Sequence, residues 1–262
     1  MLALTHVPSP NMAACLLTFV RRAPIDHGRA VRQHEAYCRT LRECGADVRT
    51  LDVNRELPDC AFIEDAAVVL DEVAVLTFPG SPERRLELPG IEPELRRYRK
   101  VCRIEPPATL EGGDVLRVGR ILLVGVSSRT NPAGVSALHE IARRHGYTVR
   151  PVPVRGCLHL KTACTALDDG RLLVNPSWVD ASALTGFELV GVPEEEPWGA
   201  NVLRVGSRIC LAAAHARTAE LIGGLGFDVR SVDVSEFAKA EGGITCLSLL
   251  FSAPRAGPGS AT

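Results

Sequence analysis

The pentapeptide "VLRVG" stands at Val115–Gly119 and again at Val202–Gly206. Both copies continue alike, as "GRILLVG" and "GSRICLAA", so each reads as a strand, a tight turn at glycine and a second apolar strand. Working outward, "AAVVLDEVAVLTF" fits the same hairpin with its turn at Asp71–Glu72, and "TACTALDDGRLLVNPS" fits with its turn at Asp168–Gly170. Helix-like stretches follow, such as "AGVSALHEIARRHG" and "ARTAELIGGLG", each ending at glycine, and then β-like pieces, "YTVRPVPV" and "FDVRSVDV". At the N-terminal end "ACLLTFV" reads as the first strand, followed by the helical "GRAVRQHEAYCRTLRECG" and the strand "ADVRTLDV".

These segments make about five modules of roughly 40 to 50 residues, the range of repeat architectures. Five strand-hairpin, helix and strand units closing in a ring leave a central channel walled by hairpins, with helices outside. A doubly wound open sheet is the competing fold, but it predicts single strands between helices. The expected fold is therefore α/β, a ring of repeated modules forming one domain over residues 1–253, with 254–262 expected to be a disordered tail.

A formal net charge of −1 argues against a general nucleic-acid or membrane-surface binder, which needs a basic field. Nine cysteines without a C-x-x-C pair suggest neither a zinc knuckle nor a complete disulfide framework. Most are expected to be reduced, buried small hydrophobes in a cytoplasmic protein. The N-terminal apolar patch is short and runs into "RRAPIDHGR", unlike a signal peptide, and no run approaches the length of a membrane span.

Unusual polar residues fall at one place in each module: Glu64–Asp65 in the second, Glu111 and Asp114 in the third, His159 in the fourth, Asn201 in the fifth and Cys246 before the closing strand. Taken alone, a cysteine entering an apolar strand is usually inert core, a histidine beside leucines is usually a satisfied core group, and acids opening a hairpin are often turn formers. In a ring, however, equivalent positions converge on the axis, so these residues would share one cavity. The glycines of "EGGD" (111–114) and "EGG" (241–243) mark a bulge or a tight bend, or a place where a ligand or another segment approaches the main chain.

The motifs "LPDCAFIEDAAVV", "LEGGDVLRVGRILLVGVSSRTN", "GCLHLKT" and "EGGITC", in this order, resemble the dimethylarginine dimethylaminohydrolases of the guanidino-group-modifying (pentein) superfamily, from about Gln33–His34 to Phe251. The resemblance implies a five-bladed α/β propeller in which Cys246 is the nucleophile, His159 the general acid and base, and Glu111 the acid that orients the histidine. It implies that Asp65 and Asp59 grip a guanidinium with Phe62 against its plane and Glu64 in support, and that Arg84 and Arg129 hold a substrate carboxylate. The family also carries a flexible loop between its first strand and first helix that closes over the substrate. With "ACLLTFV" as the first strand, only "RRAPIDHGRA" remains for that connection. A lid of the usual length is therefore expected to be absent, with a high KM and tolerance of substrates altered at the α-amino group as consequences.

The chemistry stands without the name. A guanidinium is a planar delocalised cation, and a site for it needs paired carboxylates such as Asp65 and Glu111. Its carbon is a poor electrophile, and a thiolate is the strongest side-chain nucleophile near neutral pH. Acids beside Cys246 would hold it as a thiol until the cationic substrate arrives. Attack then gives a covalent thiouronium once the histidine has protonated the leaving amine, and water releases the ureido product. The implied partner is a small-molecule guanidino substrate, with no metal or organic cofactor, no nucleic acid and no membrane; a homodimer is compatible. Three readings stay open: hydrolysis of a methylated arginine to citrulline and an alkylamine; a deiminase or amidinotransferase of the same superfamily; and a non-catalytic binding protein on the same propeller.

Overall fold

The computed structural model describes residues 1–252; the tail expected at 254–262 lies outside the described residues. Strands β1 (Leu2–His6) and β2 (Asp47–Leu51) pair in parallel across the helix His27–Glu43. Four modules follow: β3 (Ala67–Val69), β4 (Val73–Leu76) and β5 (Lys100–Arg103); β6 (Val115–Val118), β7 (Ile121–Val126) and β8 (Thr148–Pro153); β9 (Cys164–Ala166), β10 (Arg171–Val174) and β11 (Glu188–Gly191); β12 (Val202–Val205), β13 (Arg208–Ala212) and β14 (Asp228–Val232). In each the first two strands form an antiparallel hairpin and the third returns parallel to the second. Parallel neighbours need a crossover. A helix supplies it at Leu88–Arg96, Pro132–Ala142 and Ala216–Gly224, whereas the fourth module makes do with the single turn Ala181–Leu184. Strand β15 (Leu249–Phe251) then pairs antiparallel with β1, so the first sheet is completed from the far end of the chain.

The result is five three-stranded sheets, the five-bladed propeller expected from the repeats. The core shows that the ring closes, because each of its five apolar clusters joins two neighbouring blades, the fifth blade meeting the first through Val205, Cys210 and Phe237 against Ala3 and Tyr37. Successive residues of a strand face opposite ways. Leu122 and Val124 therefore enter the cluster shared with the second blade, and Leu123 the cluster shared with the fourth. With both faces buried, the middle strands read as unbroken apolar runs rather than alternating ones.

The two "VLRVG" segments are β6 and β12 with their turns, and Gly119 and Gly206 carry the positive φ (57° and 62°) that a tight hairpin turn requires. Their arginines serve the ring. Arg117 donates to both carboxylate oxygens of Asp71, and Arg204 donates to Asp169, each reaching the hairpin turn of the preceding blade. The innermost strands wall a channel of about 540 Å³, floored by Glu64, Lys161 and Thr245.

The N-terminal segment departs from the expectation. The first strand is "LALTH", and "ACLLTFV" is not a strand; it belongs to the connection from Val7 to Asp26 that precedes the first helix. A covering segment is therefore present, and the inferred absence of a lid is corrected. An apolar run lying over a closed cavity has the same composition as a buried strand, and periodicity does not separate the two.

Candidate active site

Each of four innermost strands is preceded by one short helical turn: Ile63–Ala66 before β3, Gly112–Asp114 before β6, Leu160–Ala163 before β9 and Thr245–Leu247 before β15. These turns sit at one end of the ring, and the singled-out polar residues sit in or beside them. Cys246, His159, Glu111, Asp65, Asp59, Phe62, Arg84 and Arg129 all line one enclosed cavity of about 20 Å³, roofed by Leu16. A space of that size holds little more than a water molecule. A guanidino compound is larger than that space.

His159 is buried with its Nε2 2.7 Å from Glu111 Oε2 and its Nδ1 3.8 Å from Asp65 Oδ1. Burial works against the imidazolium, but Asp65, the Glu111 hydrogen bond and Asp114 overcome it and raise the pKa to about 9. His159 therefore carries its proton at neutral pH. Glu111 is fixed in turn by the Gly80 amide, 3.2 Å from Oε1, with Arg129 at 3.5 Å. Asp65 accepts from the Gly113 amide at 3.0 Å and from Arg84 at 2.9 Å. Against the cost of burial, His159 and Arg84 hold its carboxyl below the usual carboxylate range. Only glycine fits at 113, where a Cβ would stand 2.6 Å from His159 Nδ1 and 2.8 Å from Asp65 Oδ1. At Gly112 a Cβ would instead stand 1.9 Å from the Glu64 carbonyl oxygen, so the close neighbours that "EGGD" hinted at are another stretch of backbone and the site's own side chains.

Cys246 accepts a hydrogen bond from the Gly243 amide at 3.4 Å. Burial, with Glu64 and Asp65 nearby, pushes its thiol up to about 12. The cavity therefore holds a neutral thiol beside a protonated histidine and two acids, an arrangement that welcomes a further cation. Among the described residues, Asp65, Glu111 and His159 are the one group whose donor atoms converge closely enough to hold a metal ion, within 4.8 Å of one another. Those atoms already share protons with one another and with Arg84 and two backbone amides, which suits a hydrogen-bonding cation better than a bare one.

Two residues differ in placement from the expectation. Arg84 does not present its guanidinium to a carboxylate entering the cavity: it is buried, with Nε and Nη2 on Glu87, Nη1 on Asp65 and Nη2 also on the Phe62 carbonyl. Its charge is spent on making two buried acids tolerable. Glu64 turns away from the cavity to the channel floor, 2.6 Å from Lys161 Nζ and 2.8 Å from Thr245 Oγ1. Arg129 does face the cavity, held by Ser81 at 2.6 Å and Thr18 at 3.1 Å.

Sequence reasoning left several supports without a role. Asp114 accepts from the Leu160 amide at 2.9 Å and from Ser127 at 2.6 Å, fixing the turn that carries His159; burial pushes its pKa up to about 6. Its place in "EGGD" was visible, but not the partner across the ring. Glu87, three residues after Arg84 in the turn that follows its short helix, was a local signal for that ion pair.

Against known proteins, the family model of arginine deiminase matches residues 91–196. The N(G),N(G)-dimethylarginine dimethylaminohydrolase of Streptomyces coelicolor is 42% identical over 249 residues, covering 94% of this chain and 95% of that one. The chain belongs to the dimethylarginine dimethylaminohydrolase family. Among solved structures, a dimethylarginine dimethylaminohydrolase adduct with S-methyl-L-thiocitrulline superposes with a TM-score of 0.91 at 34% identity, over 95% of this chain and 98% of that one. The Pseudomonas aeruginosa enzyme complexed with citrulline gives 0.88, also at 34% identity and with the same coverage. The dimethylaminohydrolase fold thus extends over nearly the whole chain.

Proposed function

We propose that this protein is a cysteine hydrolase that cleaves the bond from the guanidino carbon to the methylated terminal nitrogen of dimethylarginine or monomethylarginine, to give citrulline and an alkylamine. The observation that carries the reading is the joint lining of one closed cavity by a neutral thiol, a protonated histidine and the acids Asp65 and Glu111. The family relationship at 42% identity supports the substrate class.

A guanidinium seated between Asp65 and Glu111 adds positive charge beside Cys246 and lowers the cost of its thiolate, the proton passing to solvent. Sulfur bonds to the guanidinium carbon. His159 gives its proton to the methylated nitrogen as that C–N bond breaks, leaving a thiouronium on Cys246. The now neutral His159 takes a proton from water, whose oxygen bonds to the same carbon; the C–S bond breaks and citrulline leaves. In this reading Phe62 packs against the guanidinium plane, Asp59 helps Asp65 grip the guanidinium, Arg129 receives the substrate carboxylate, and Arg84 and Glu64 act behind the cavity wall. The proposal also covers a single catalytic domain over residues 1–253 in a cytoplasmic protein, acting without metal or organic cofactor.

A deiminase releasing ammonia from unmethylated arginine uses the same groups, and the arginine deiminase family match over 91–196 favours keeping it as the second reading. Incubation with dimethylarginine, monomethylarginine and arginine in parallel, with citrulline, alkylamine and ammonia measured, separates the two. Citrulline and dimethylamine are expected from dimethylarginine; ammonia from arginine at a higher kcat/KM would transfer the protein to the deiminase reading.

A further inference from the structure

Glu241 is the one non-glycine among the described residues with a positive φ, 64°, and it stands immediately before Gly242 and Gly243. It closes the short helix Ser235–Ala238: the Glu241 amide donates to the Ala238 carbonyl at 3.1 Å and the Gly242 amide to the Phe237 carbonyl at 2.9 Å. A helix end turned left-handed is ordinarily the place of a glycine, which takes that conformation without strain. A glutamate there needs a compensating contact. Its carboxylate supplies one, with Oε2 accepting from the Thr18 amide at 2.7 Å and Oε1 from the Phe19 amide at 2.6 Å. Both oxygens thus grip consecutive backbone amides of the covering segment.

That segment has two other ties to the cavity. Asp59 accepts from the Leu16 amide at 3.2 Å, and Arg129 donates to Thr18 Oγ1 at 3.1 Å. On the function proposed above, on which this inference rests, Asp59 and Arg129 are groups that a substrate's guanidinium and carboxylate engage. A substrate that recruits them weakens two of the three ties. Glu241 remains. The same residue lies five positions before Cys246, and Ala240, Glu241 and Gly242 line the cavity, so the grip joins the cover to the chain that presents the nucleophile.

We infer that Glu241 is a positioning residue: its carboxylate latches residues 16–19 over the occupied cavity and so sets the affinity for the amino-acid end of the substrate. It makes no contact with the reacting carbon. Loss of the latch acts on binding rather than on bond cleavage.

Two variants test this. Glu241→Gly relieves the backbone strain while removing the carboxylate; Glu241→Gln keeps the side chain's length and one accepting oxygen. For Glu241→Gly the expected result is a KM for dimethylarginine raised about 10-fold or more with kcat within about 3-fold, and Glu241→Gln should fall between it and the parent. Trypsin should cut after Arg21 or Arg22 about 10-fold faster in Glu241→Gly, while alkylation of Cys246 by 2-chloroacetamidine, an amidine with no amino-acid end, stays within about 2-fold of the parent. Parental KM and parental trypsin resistance in Glu241→Gly would overturn the inference, as would loss of 2-chloroacetamidine labelling together with a fallen Tm, which marks a merely structural residue. If the parent does not hydrolyse dimethylarginine at all, the proposed function fails, whereas the trypsin comparison still reads the latch.

Discussion

Cys246 and His159 hold their protons more tightly than free side chains do, the thiol chiefly because it is buried and the imidazole because Asp65, Glu111 and Asp114 outweigh its burial. The thiol at about 12 and the imidazole at about 9 mean that the resting protein is protonated at both reacting groups through neutral pH. Two outcomes follow at this scale. Cys246→Ser is expected to leave the Tm within a few degrees and to abolish citrulline formation; retention of more than a few per cent of turnover would remove Cys246 from the nucleophile role. The His159 shift also has a sign for stability. Its folded value lies above the ordinary 6.5, so its contribution is complete below pH 6.5 and is lost as pH rises through about 9. The Tm should therefore decline between pH 7 and pH 10 in the parent and decline less steeply in His159→Asn, as thermal scans at fixed ionic strength would reveal. The two arginines divide in another way. Arg84→Ala strands Asp65 and Glu87 in the interior and is expected to cost about 3–5 kcal/mol of stability in urea titrations. Arg129→Ala should instead raise KM with a smaller effect on Tm. Whereas Arg84 and Arg129 came from the family resemblance alone, Asp65, Glu111, His159 and Cys246 were legible in the sequence because the repeats put them in phase. The distinction between Arg84 and Arg129 was not, since it depends on which way each side chain points from its turn.

The element on which the specificity prediction turns is the connection from Val7 to Asp26. Part of its apolar run mimics a strand because it too is shielded from water, Cys15 fully and Leu16 and Leu17 partly, although Phe19 is exposed. Meanwhile the true first strand, "LALTH", is short and starts at the second residue, and its place is set by pairing with β2 and β15, contacts that no local window contains. The hairpins, by contrast, carry their turns and both partners within one stretch and were read correctly. With a cover present, the expectation of broad tolerance at the α-amino group reverses. The protein should prefer intact dimethylarginine over the same compound lacking its α-amino group by about 10-fold or more in kcat/KM, since a site built to hydrogen-bond a group rejects the analogue without it. Equal values for the two compounds would show that the cover excludes water but reads nothing.

Over the whole molecule, each blade buries both faces of its strands against its neighbours, so no blade is an independent unit and the ring is expected to unfold in one cooperative step. Its closure lies between β1 and β15, where Leu2 stands opposite Phe251. A chain joined across these two strands by a few residues and reopened at the exposed turn Asp169–Gly170 should fold and keep its activity, as near-UV circular dichroism and citrulline assays would check. The closed ring was legible from the repeat spacing, whereas the sharing of the first sheet between the two ends of the chain was not, because the repeat there is split. That split governs how the protein is made. Among the described residues β15 leaves the ribosome after the other fourteen strands, and until then β1 keeps an open edge that a neighbouring nascent chain can pair with. Cys246 sits in the turn leading into β15, so the thiol takes its place in the cavity only when the ring shuts. Synthesis therefore yields no partly finished catalyst: a chain stalled or clipped before its last strand is at once an aggregation hazard and chemically silent, and the cell's first sign of a completed molecule is the chemistry itself.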